Sequence, residues 1–564
     1  MPRRMPAAAA SRGNRAAKTP AASRIEWPPA AAWSLAGLAL VLLLVSPPCS
    51  NRAWALNGAR SVAPLAVLLL ASAAALAVVL AWRPRVDGRV LALLAAIALA
   101  FPLREHLHLL GDTWVRSRYF AGAAARPETI AGFAALGRQL HAQPLDNLVG
   151  GWGVIALGRL GVPFPLAVSL GSALLALAYF AGVAHLARRL APGAPALPLA
   201  LALALAGTLE VFAGYAESGG VVLATGVWWW ALLLQPLSRR RDAAFSALAW
   251  LALFLGHRLA LVGLVPQLAR GVFFSLAGDR AAPRRWLVVF SVLAAVLAVL
   301  LLALGGGSAL GRDFSELGFG LWGRGGLRLT PASDLANLVA AVMPLALLAP
   351  LFAGREALRA LLRSPLFALH VVALLPLAPM LLVFPVAAHG LGAHRDWEIA
   401  ALPGLIATSL AGAALGLASP ARRRGALVVL LPLLAILAGG WLATNASDAA
   451  VERRAIALAE GPHGLTGEQQ SYVLVFLGYL AADRGDDASS ARWFDESFGA
   501  LANSRNALLA AESWLRAGDV AAARRSLVRA RSVPVAPELE PGARALEAMV
   551  ARAESAGAAA GAPR

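Results

Sequence analysis

Long apolar segments recur along almost the whole chain, and they constrain its fold more than any other feature. The 564 residues are 59% hydrophobic and only 14% charged, with a mean hydropathy of +0.67. A helix of about 20 apolar residues is long enough to cross the hydrocarbon core of a bilayer. We count about 13 segments of suitable composition and length. The sequence therefore predicts an all-α, polytopic membrane protein.

The predicted transmembrane helices share this apolar composition. They lie at 30–46, 62–82, 88–103, 163–186, 195–213, 219–237, 243–256, 259–276, 286–304, 335–353, 366–386, 398–418 and 425–443. Residues 1–26 are rich in Ala, Pro and Arg without apolar periodicity, and we expect a disordered cytoplasmic tail there. Residues 27–444 form the predicted multi-span domain.

Basic residues occur mainly in alternate connectors between the predicted spans. These connectors contain Arg83, Arg85 and Arg89; Arg188 and Arg189; Arg239, Arg240 and Arg241; Arg280, Arg284 and Arg285; Arg355, Arg359 and Arg363; and Arg422, Arg423 and Arg424. Because Lys and Arg favour cytoplasmic loops, this side and the N-terminus are predicted to be inside. The net charge of +19 then reflects topology, and no nucleic-acid partner is expected.

The opposite connectors hold most of the remaining acidic, His and Arg clusters. Charged groups at membrane depth or at the mouths of spans are costly and usually functional. We therefore predict an enzyme with one extracytoplasmic active face. The expected catalytic residues are Asp112, Glu217 and Asp396, and the expected substrate-binding residues are Arg116, His257, Arg258, His394, Arg395, Trp397 and Glu398.

Each of these side chains has a chemical role that fits and a structural alternative. Asp112 could accept a proton or bind a divalent cation such as Mg²⁺ or Mn²⁺, or it could cap a helix. Glu217 and Arg258 could contact substrate or pair with each other. Arg395 is suited to bind a phosphate, and His394 is suited to transfer a proton. The triple Trp228-Trp229-Trp230 is expected to form a lipid-facing belt.

Two outer segments are long, residues 104–162 and 305–334. The apolar stretch 148–160 in the first covers only about 20 Å as a helix, too short to cross a bilayer. We interpret it as an interfacial or re-entrant helix. The sequence contains no Walker loop, zinc-type His/Cys spacing or Gly-x-Ser-x-Gly motif. These absences disfavour ATP hydrolysis and serine-hydrolase chemistry, and no metal site is expected beyond a cation at Asp112.

Residues 445–564 have the composition of ordinary amphipathic helices. Gly485-Asp486 and Gly518-Asp519 are separated by a period close to the roughly 34 residues of tetratricopeptide repeats. Each half resembles a helical hairpin with the Gly-Asp pair at its turn. The alternative is an Ala-rich helical bundle of no repeat family. In either case we expect a small extracytoplasmic helical domain that could recruit a protein partner.

The arrangement resembles the GT-C superfamily of polytopic glycosyltransferases, which includes protein O-mannosyltransferases and bacterial lipid A aminoarabinose transferases. The resemblance lies in Gly111-Asp112, in Gly214-Tyr215-Ala216-Glu217 and in Arg395-Asp396-Trp397-Glu398. It implies a polyprenyl-phosphate sugar as donor and an acid in an early outer loop. The chain departs from the family in having Thr113 where many relatives have a second acid, and in having two additional spans before that loop.

Three other functions are compatible with the sequence. An O-antigen ligase-like enzyme also combines many spans with repeats, but it relies on a large late outer loop. A transporter would show inverted repeats and broken helices near the membrane midplane, and no such symmetry is evident. A non-catalytic scaffold would present the repeats. The expected location is a bacterial inner membrane, with the C-terminal domain periplasmic or extracellular.

Overall fold

The computed structural model describes residues 87–105, 144–206, 208–214, 218–235, 240–276, 329–383, 397–460, 467–537 and 539–560, together with a few isolated positions. Within these ranges the chain is helical and contains no strands. The predicted all-α class is confirmed for this part of the protein.

The described part of the multi-span region contains thirteen α-helices of at least seven residues. They are α1 Gly88–Ala100, α2 Gly153–Arg159, α3 Phe164–Leu190, α4 Ala196–Ala204, α5 Ser218–Leu233, α6 Arg240–Gly256, α7 Leu264–Leu276, α8 Ala332–Val342, α9 Pro344–Ala353, α10 Arg355–Leu362, α11 Pro365–Leu382, α12 Ala401–Leu417 and α13 Pro420–Asn445. Short 3₁₀ turns lie at Leu209–Phe212, Arg258–Gly263 and Trp397–Ala400.

Four described segments are long and apolar enough to cross a membrane, and they indicate membrane association. They are α3, α11, the segment Trp397–Leu417 that includes α12, and α13. A fifth results if α8 and α9, which meet at a 75° bend, form one span. Helices α1 and α5 are apolar but shorter. The predicted tail 1–26, the first two predicted spans, and most of 286–304 and 305–334 lie outside the described residues.

The predicted span 195–213 differs from the observed structure. Helix α4 ends at Ala204, and the chain then forms the 3₁₀ turn Leu209–Phe212. The expected helix at 148–160 is observed within a longer helical segment. That segment begins at Pro144 and contains a π-helical stretch, Asn147–Trp152, before α2.

Three of the basic connectors meet at one end of the bundle, which we call the basic end. Arg422 Nε donates a hydrogen bond to the Phe352 carbonyl at 3.0 Å, just before Gly354. Arg423 donates to the Gly416 carbonyl at 3.0 Å. A Cβ at Gly416 would overlap the carbonyl of Leu190, next to Arg188 and Arg189. The connectors after α3, α9 and α12 therefore lie together.

The intervening connectors meet at the opposite end, which we call the acidic end. The Glu105 N–H donates to the Ala213 carbonyl at 2.7 Å, and the Thr330 N–H donates to the Leu382 carbonyl at 2.7 Å. The Cβ of Glu398 lies 3.4 Å from the position of a Cβ at Gly219. The first contact joins the end of α1 to the 3₁₀ turn before α5, and the second joins the end of α11 to the start of α8. The third brings the segment before α12 to the start of α5.

The expectation of a lipid-facing Trp228-Trp229-Trp230 belt is wrong for two of its three residues. Trp229 and Trp230 have no exposed surface, because α5 packs among α3, α6 and α12. Trp230 Nε1 donates to Ser409 Oγ on α12 at 2.8 Å. Consecutive helical residues point about 100° apart, so a run of three cannot share one lipid-facing surface.

Six further helices follow the last span. They are α14 Asp448–Glu460, α15 Gly467–Asp483, α16 Asp487–Ala500, α17 Ser504–Arg516, α18 Val520–Arg531 and α19 Glu540–Ala560. Helices α15 and α16 form one antiparallel hairpin, and α17 and α18 form a second.

The Gly-Asp pairs are the turns of these two hairpins, as the sequence predicts. Gly485 and Gly518 have φ values of +77° and +83°, a conformation that glycine adopts without steric cost. Asp486 then accepts from the Ser489 N–H at 3.0 Å. Asp519 accepts from the Ala522 N–H at 2.8 Å. The repeated dipeptide therefore ends one helix and caps the next in both hairpins.

The first hairpin and the second belong to different hydrophobic cores. Val473, Leu474 and Phe476 of α15 are buried in the same core as the membrane bundle. Helices α17, α18 and α19 form a separate small core that includes Leu527 and Val550. The first hairpin is thus packed onto the bundle, and the second extends the helical array away from it.

Candidate functional site

Most of the site residues predicted from the sequence lie outside the described residues. This applies to Asp112, Arg116, Glu217, His394, Arg395 and Asp396. For Arg258 only the backbone is described, at the start of a 3₁₀ turn. The side chains of His257, Trp397 and Glu398 are described. We describe the candidate site from the surroundings of these three side chains and of described residues that are close in sequence to the other predicted site residues.

Trp397 and Glu398 bring the late cluster against the start of α5. Trp397 is buried, and its ring centroid lies 5.9 Å from that of Trp441 on α13. The Cβ of Glu398 lies 3.4 Å from the position of a Cβ at Gly219, two positions after Glu217. Glu398, the last residue of the late cluster, therefore lies beside the start of α5, far away in sequence.

The start of the early outer loop reaches the same connector. Besides the hydrogen bond from Glu105 to Ala213, a Cβ at Gly214 would lie 3.3 Å from the Cβ of Arg104. Gly214 also has a φ of +81°, so glycine suits this position for both space and backbone conformation. The first residues of the loop that carries Asp112 therefore lie beside the first residues of the connector that carries Glu217.

Glu210 is a buried acid that the sequence analysis did not select. It lies in the connector between α4 and α5, outside the candidate spans, and is only 3% exposed. Burial raises the pKa of Glu210 well above its usual range, the nearby Glu105 raises it further, and Arg454 opposes both effects. Glu210 Oε1 has no hydrogen-bond partner within the described structure. An acid interrupting an apolar run was the available signal.

Arg454 reaches this group of acids from beyond the last span. It lies on α14, is 1% exposed, and places its guanidinium carbon 4.6 Å from the ring centroid of Trp441. Its charge also acts on Glu210. No local pattern distinguishes Arg454 from the adjacent Arg453, because only the packing of α14 determines which of the two faces inward.

A narrow cleft of about 10 Å³ adjoins Glu210. Its walls are largely apolar and come from the 3₁₀ turn, the bend between α8 and α9, and α13. The lining residues are Leu209, Glu210, Ala340, Ala341, Pro344, Leu437, Ala438 and Trp441. A cleft of this size has room for about one water molecule.

Two further polar segments lie at the acidic end. His257 follows α6 and is half-buried, and the preceding Gly256 packs against Val221 near the start of α5. Asp146 and Asn147 of the early loop are each 3% exposed, in a segment that packs on α6. The acidic end therefore collects polar side chains from several separate stretches of the chain.

No group of three or more His, Cys, Asp or Glu side chains suitable for a metal ion occurs in the parts of the chain that the structure describes. Glu105 and Glu210 supply carboxylates there, but Arg454 provides positive charge beside them. Asp112, the candidate cation ligand, lies outside those parts.

Comparison of the chain with protein-family models, with curated proteins and with solved structures gave no match. The fold and the site by themselves define a class of protein. The chain is a helical protein with several apolar helices long enough to cross a membrane. Buried acidic, basic and aromatic side chains gather at one end of its bundle.

Proposed function

We propose that the protein is a membrane glycosyltransferase of GT-C type that transfers a sugar from a polyprenyl-phosphate donor to an acceptor at the extracytoplasmic face. The observation that supports this most is the convergence at the acidic end. Described residues that flank three of the predicted clusters approach one another there: the Glu105 N–H bonds to the Ala213 carbonyl, and the Cβ of Glu398 lies next to Gly219. A single site built from separate loops is what such a transfer requires.

In this reaction an acceptor hydroxyl oxygen forms a bond to the anomeric carbon of the sugar. The bond from that carbon to the phosphate oxygen breaks, and the phosphate leaves with the electron pair. Asp112 takes the acceptor proton as general base, or binds a divalent cation that neutralises the phosphate. Arg258 and Arg395 stabilise the negative charge that develops on the leaving group.

The remaining predicted residues orient the reactants. Glu217 and Asp396 contact the sugar or hold the arginines in place, and Arg116, His257 and His394 complete the phosphate and acceptor contacts. Trp397 and Glu398 support this arrangement through Trp441 and Gly219. Buried positions fix side-chain geometry, which is what a transfer between two bound substrates needs.

The topology belongs to the same proposal. About 13 spans place the N-terminus and the basic end inside, in a bacterial inner membrane, by the bias of Arg toward cytoplasmic loops. The acidic end and the tetratricopeptide-like hairpins then face the periplasm or the exterior. The hairpins would recruit an acceptor or a protein partner.

Donor turnover in proteoliposomes tests the proposal. The substrate is a radiolabelled polyprenyl-phosphate sugar, and the products are free polyprenyl phosphate and labelled acceptor. Asp112→Asn is expected to lower turnover about 10²-fold or more, the range for loss of a general base. Arg395→Ala should also lower it strongly. Asp242→Asn, an acid in the first turn of α6 at the basic end, is the control and should change turnover less than about twofold.

If Asp112→Asn and Arg395→Ala both retain wild-type turnover, the roles assigned to these residues are wrong. If the wild-type protein gives no product with any lipid-linked donor, the transferase proposal itself fails.

A transporter is the second candidate, and one observation favours it. Helices α8 and α9 meet at a 75° bend, and Ala341 and Pro344 at that bend line the cleft beside Glu210. Broken helices beside a buried carboxyl are typical of ion-coupled transporters. The donor assay separates the candidates, because a transferase makes a covalent product in detergent solution and a transporter does not.

A further inference from the structure

The helix that follows the last span is joined to it almost without a linker. The Ala446 N–H donates to the Leu442 carbonyl at 2.9 Å, and the Ser447 N–H donates to the Thr444 carbonyl at 3.1 Å. Helix α14 then begins at Asp448 and folds back against the bundle. Its apolar side chains, such as Val451 and Leu458, are buried in the bundle core. The position of α14 relative to α13 is therefore fixed by packing.

Adjacent arginines on α14 have opposite environments. Arg453 is exposed, as expected for a solvated helix face. Arg454 is 1% exposed and lies over the ring of Trp441, where cation and ring attract each other. A guanidinium is rarely buried without an acidic or aromatic partner. Arg454 has both kinds of partner nearby.

Arg454 adds positive charge beside several carboxyls, since Trp441, which it overlies, lines the same cleft as Glu210. Glu105 and Glu210 are both 3% exposed, and both act on the same buried region. Arg104 and Glu398 lie on the adjoining segments. Two buried carboxyls without a nearby cation are costly, because each charge loses its hydration and repels the other. With Arg454 in place, one of the two can be ionised at a smaller cost.

The first hairpin holds α14 in this position. The Leu465 N–H donates to the Leu458 carbonyl at 2.7 Å, and Gln470 Nε2 donates to the Ala459 carbonyl at 2.9 Å. Arg484, at the hairpin turn, makes two hydrogen bonds of 2.9 Å to Glu452. Hydrogen bonds at both ends of α14 thus connect the hairpin to the helix that carries Arg454.

We infer that Arg454 is a positioning residue through which α14, a helix of the C-terminal domain, supplies positive charge to the buried carboxyls of the acidic end. This goes beyond the proposed transfer reaction and holds equally for a transporter. Helix α14 of the C-terminal domain is then part of the site.

Infrared titration of the full-length protein in nanodiscs tests this inference without any turnover measurement. The carbonyl stretch of protonated Glu210 is assigned by its loss in Glu210→Gln. In Arg454→Met the band is expected to persist to a pH about one unit or more above the wild-type midpoint, a tenfold change in proton affinity. Arg454→Lys keeps the charge and should shift the midpoint less. Arg453→Met is the matched control and should leave it unchanged.

An unchanged midpoint in Arg454→Met overturns the inference, and so does an equal shift in Arg453→Met. If Arg454→Met does not fold, the double variant Arg454→Met/Glu210→Gln decides. It should recover folded protein, because one of the two buried carboxyls no longer needs a counter-charge. Failure of the double variant to fold where Glu210→Gln alone folds contradicts the inference.

Discussion

Glu210 shows how a single ionisable residue can be held at the mouth of an apolar bundle. Its connector leaves the carboxyl almost no solvent, and Glu105 adds negative charge nearby. Both effects favour the protonated form. Arg454 opposes them and limits the cost of the ionised form. The residue is thereby suited to exchange a proton rather than to act as a permanent anion.

Glu210 should make the stability of the protein depend on pH. Because its pKa is raised in the folded state, its stabilising contribution is complete below the ordinary carboxyl pKa and is lost as pH rises through the folded value. Between those two pKa values the free energy of unfolding falls by about 1.4 kcal/mol for each step of one in pH. The melting temperature in detergent is therefore expected to fall as the pH rises above the ordinary carboxyl pKa. Glu210→Gln should flatten this dependence.

Thermal melts at several pH values check the effect of Glu210. Glu512→Gln is the control, since Glu512 is an exposed acid paired with Arg516, and it should melt with the wild-type pH profile. A Glu210→Gln profile as steep as that of the wild type would show that Glu210 is not the group responsible.

At the scale of elements, close packing of α3 against α5 depends on a missing side chain. A Cβ at Gly182 would overlap Val227 and lie 3.2 Å from Trp228. Gly182→Val is expected to force the helices apart and to cost about 1–3 kcal/mol. Gly171→Val, on the same helix with nothing within 4 Å of its Cβ, is the matched control.

Detergent melting temperatures of the Gly182 and Gly171 variants measure this difference. Gly182→Val should melt clearly below wild type, and Gly171→Val close to it. Equal melting temperatures for the two variants would show that α3 and α5 do not approach as closely as described.

The hairpin turns provide a second test at the element scale. Gly518 has a φ of +83°, which costs about 1–2 kcal/mol for a residue with a Cβ. Gly518→Ala should therefore increase deuterium exchange of α17 and α18. Gly499→Ala, inside α16 with no atom near its Cβ, should leave exchange unchanged or lower it, because Ala favours a helix. Increased exchange in Gly499→Ala alone would contradict the assigned turns.

Elements that are determined by residues close in sequence could be predicted, and elements that depend on tertiary contacts could not. Helix α13, Pro420–Asn445, was expected at 425–443, and the Gly-Asp turns were found from their repetition. The break after Ala204 was not expected, because Leu203 through Gly214 has the composition of a continuing span. The burial of Trp229 and Trp230 was also missed, since it depends on which helices surround α5.

The sequence indicated some of the charged clusters of the candidate site, but not which side chains from distant segments contact one another there. Glu398 and Trp397 were selected because dense charge at a span mouth is unusual. Glu210 was hidden within an apparent span, and Arg454 within an ordinary amphipathic helix. Both owe their environment to contacts between segments far apart in sequence, which no local pattern encodes. Asp112, Glu217 and Arg395 stay predictions, because they lie outside the described residues.

At the scale of the whole molecule, charge is divided between the two ends of the bundle. Arg422 and Arg423 hold the connectors of the basic end together through backbone carbonyls, and α10 adds the exposed Arg355 and Arg359 there. Glu105, Glu210 and Glu398 lie at the other end with the C-terminal helices. This division is the basis of both the proposed topology and the proposed site.

Sided cysteine labelling of intact cells tests this central claim most directly. The native Cys49 is replaced by Ala, and single cysteines are placed at Ala360 on α10 and at Ala502 between α16 and α17, both exposed. A membrane-impermeant maleimide should label Ala502→Cys in intact cells and Ala360→Cys only after permeabilisation. Labelling of both positions from the same side, or of Ala360→Cys alone in intact cells, would contradict the account.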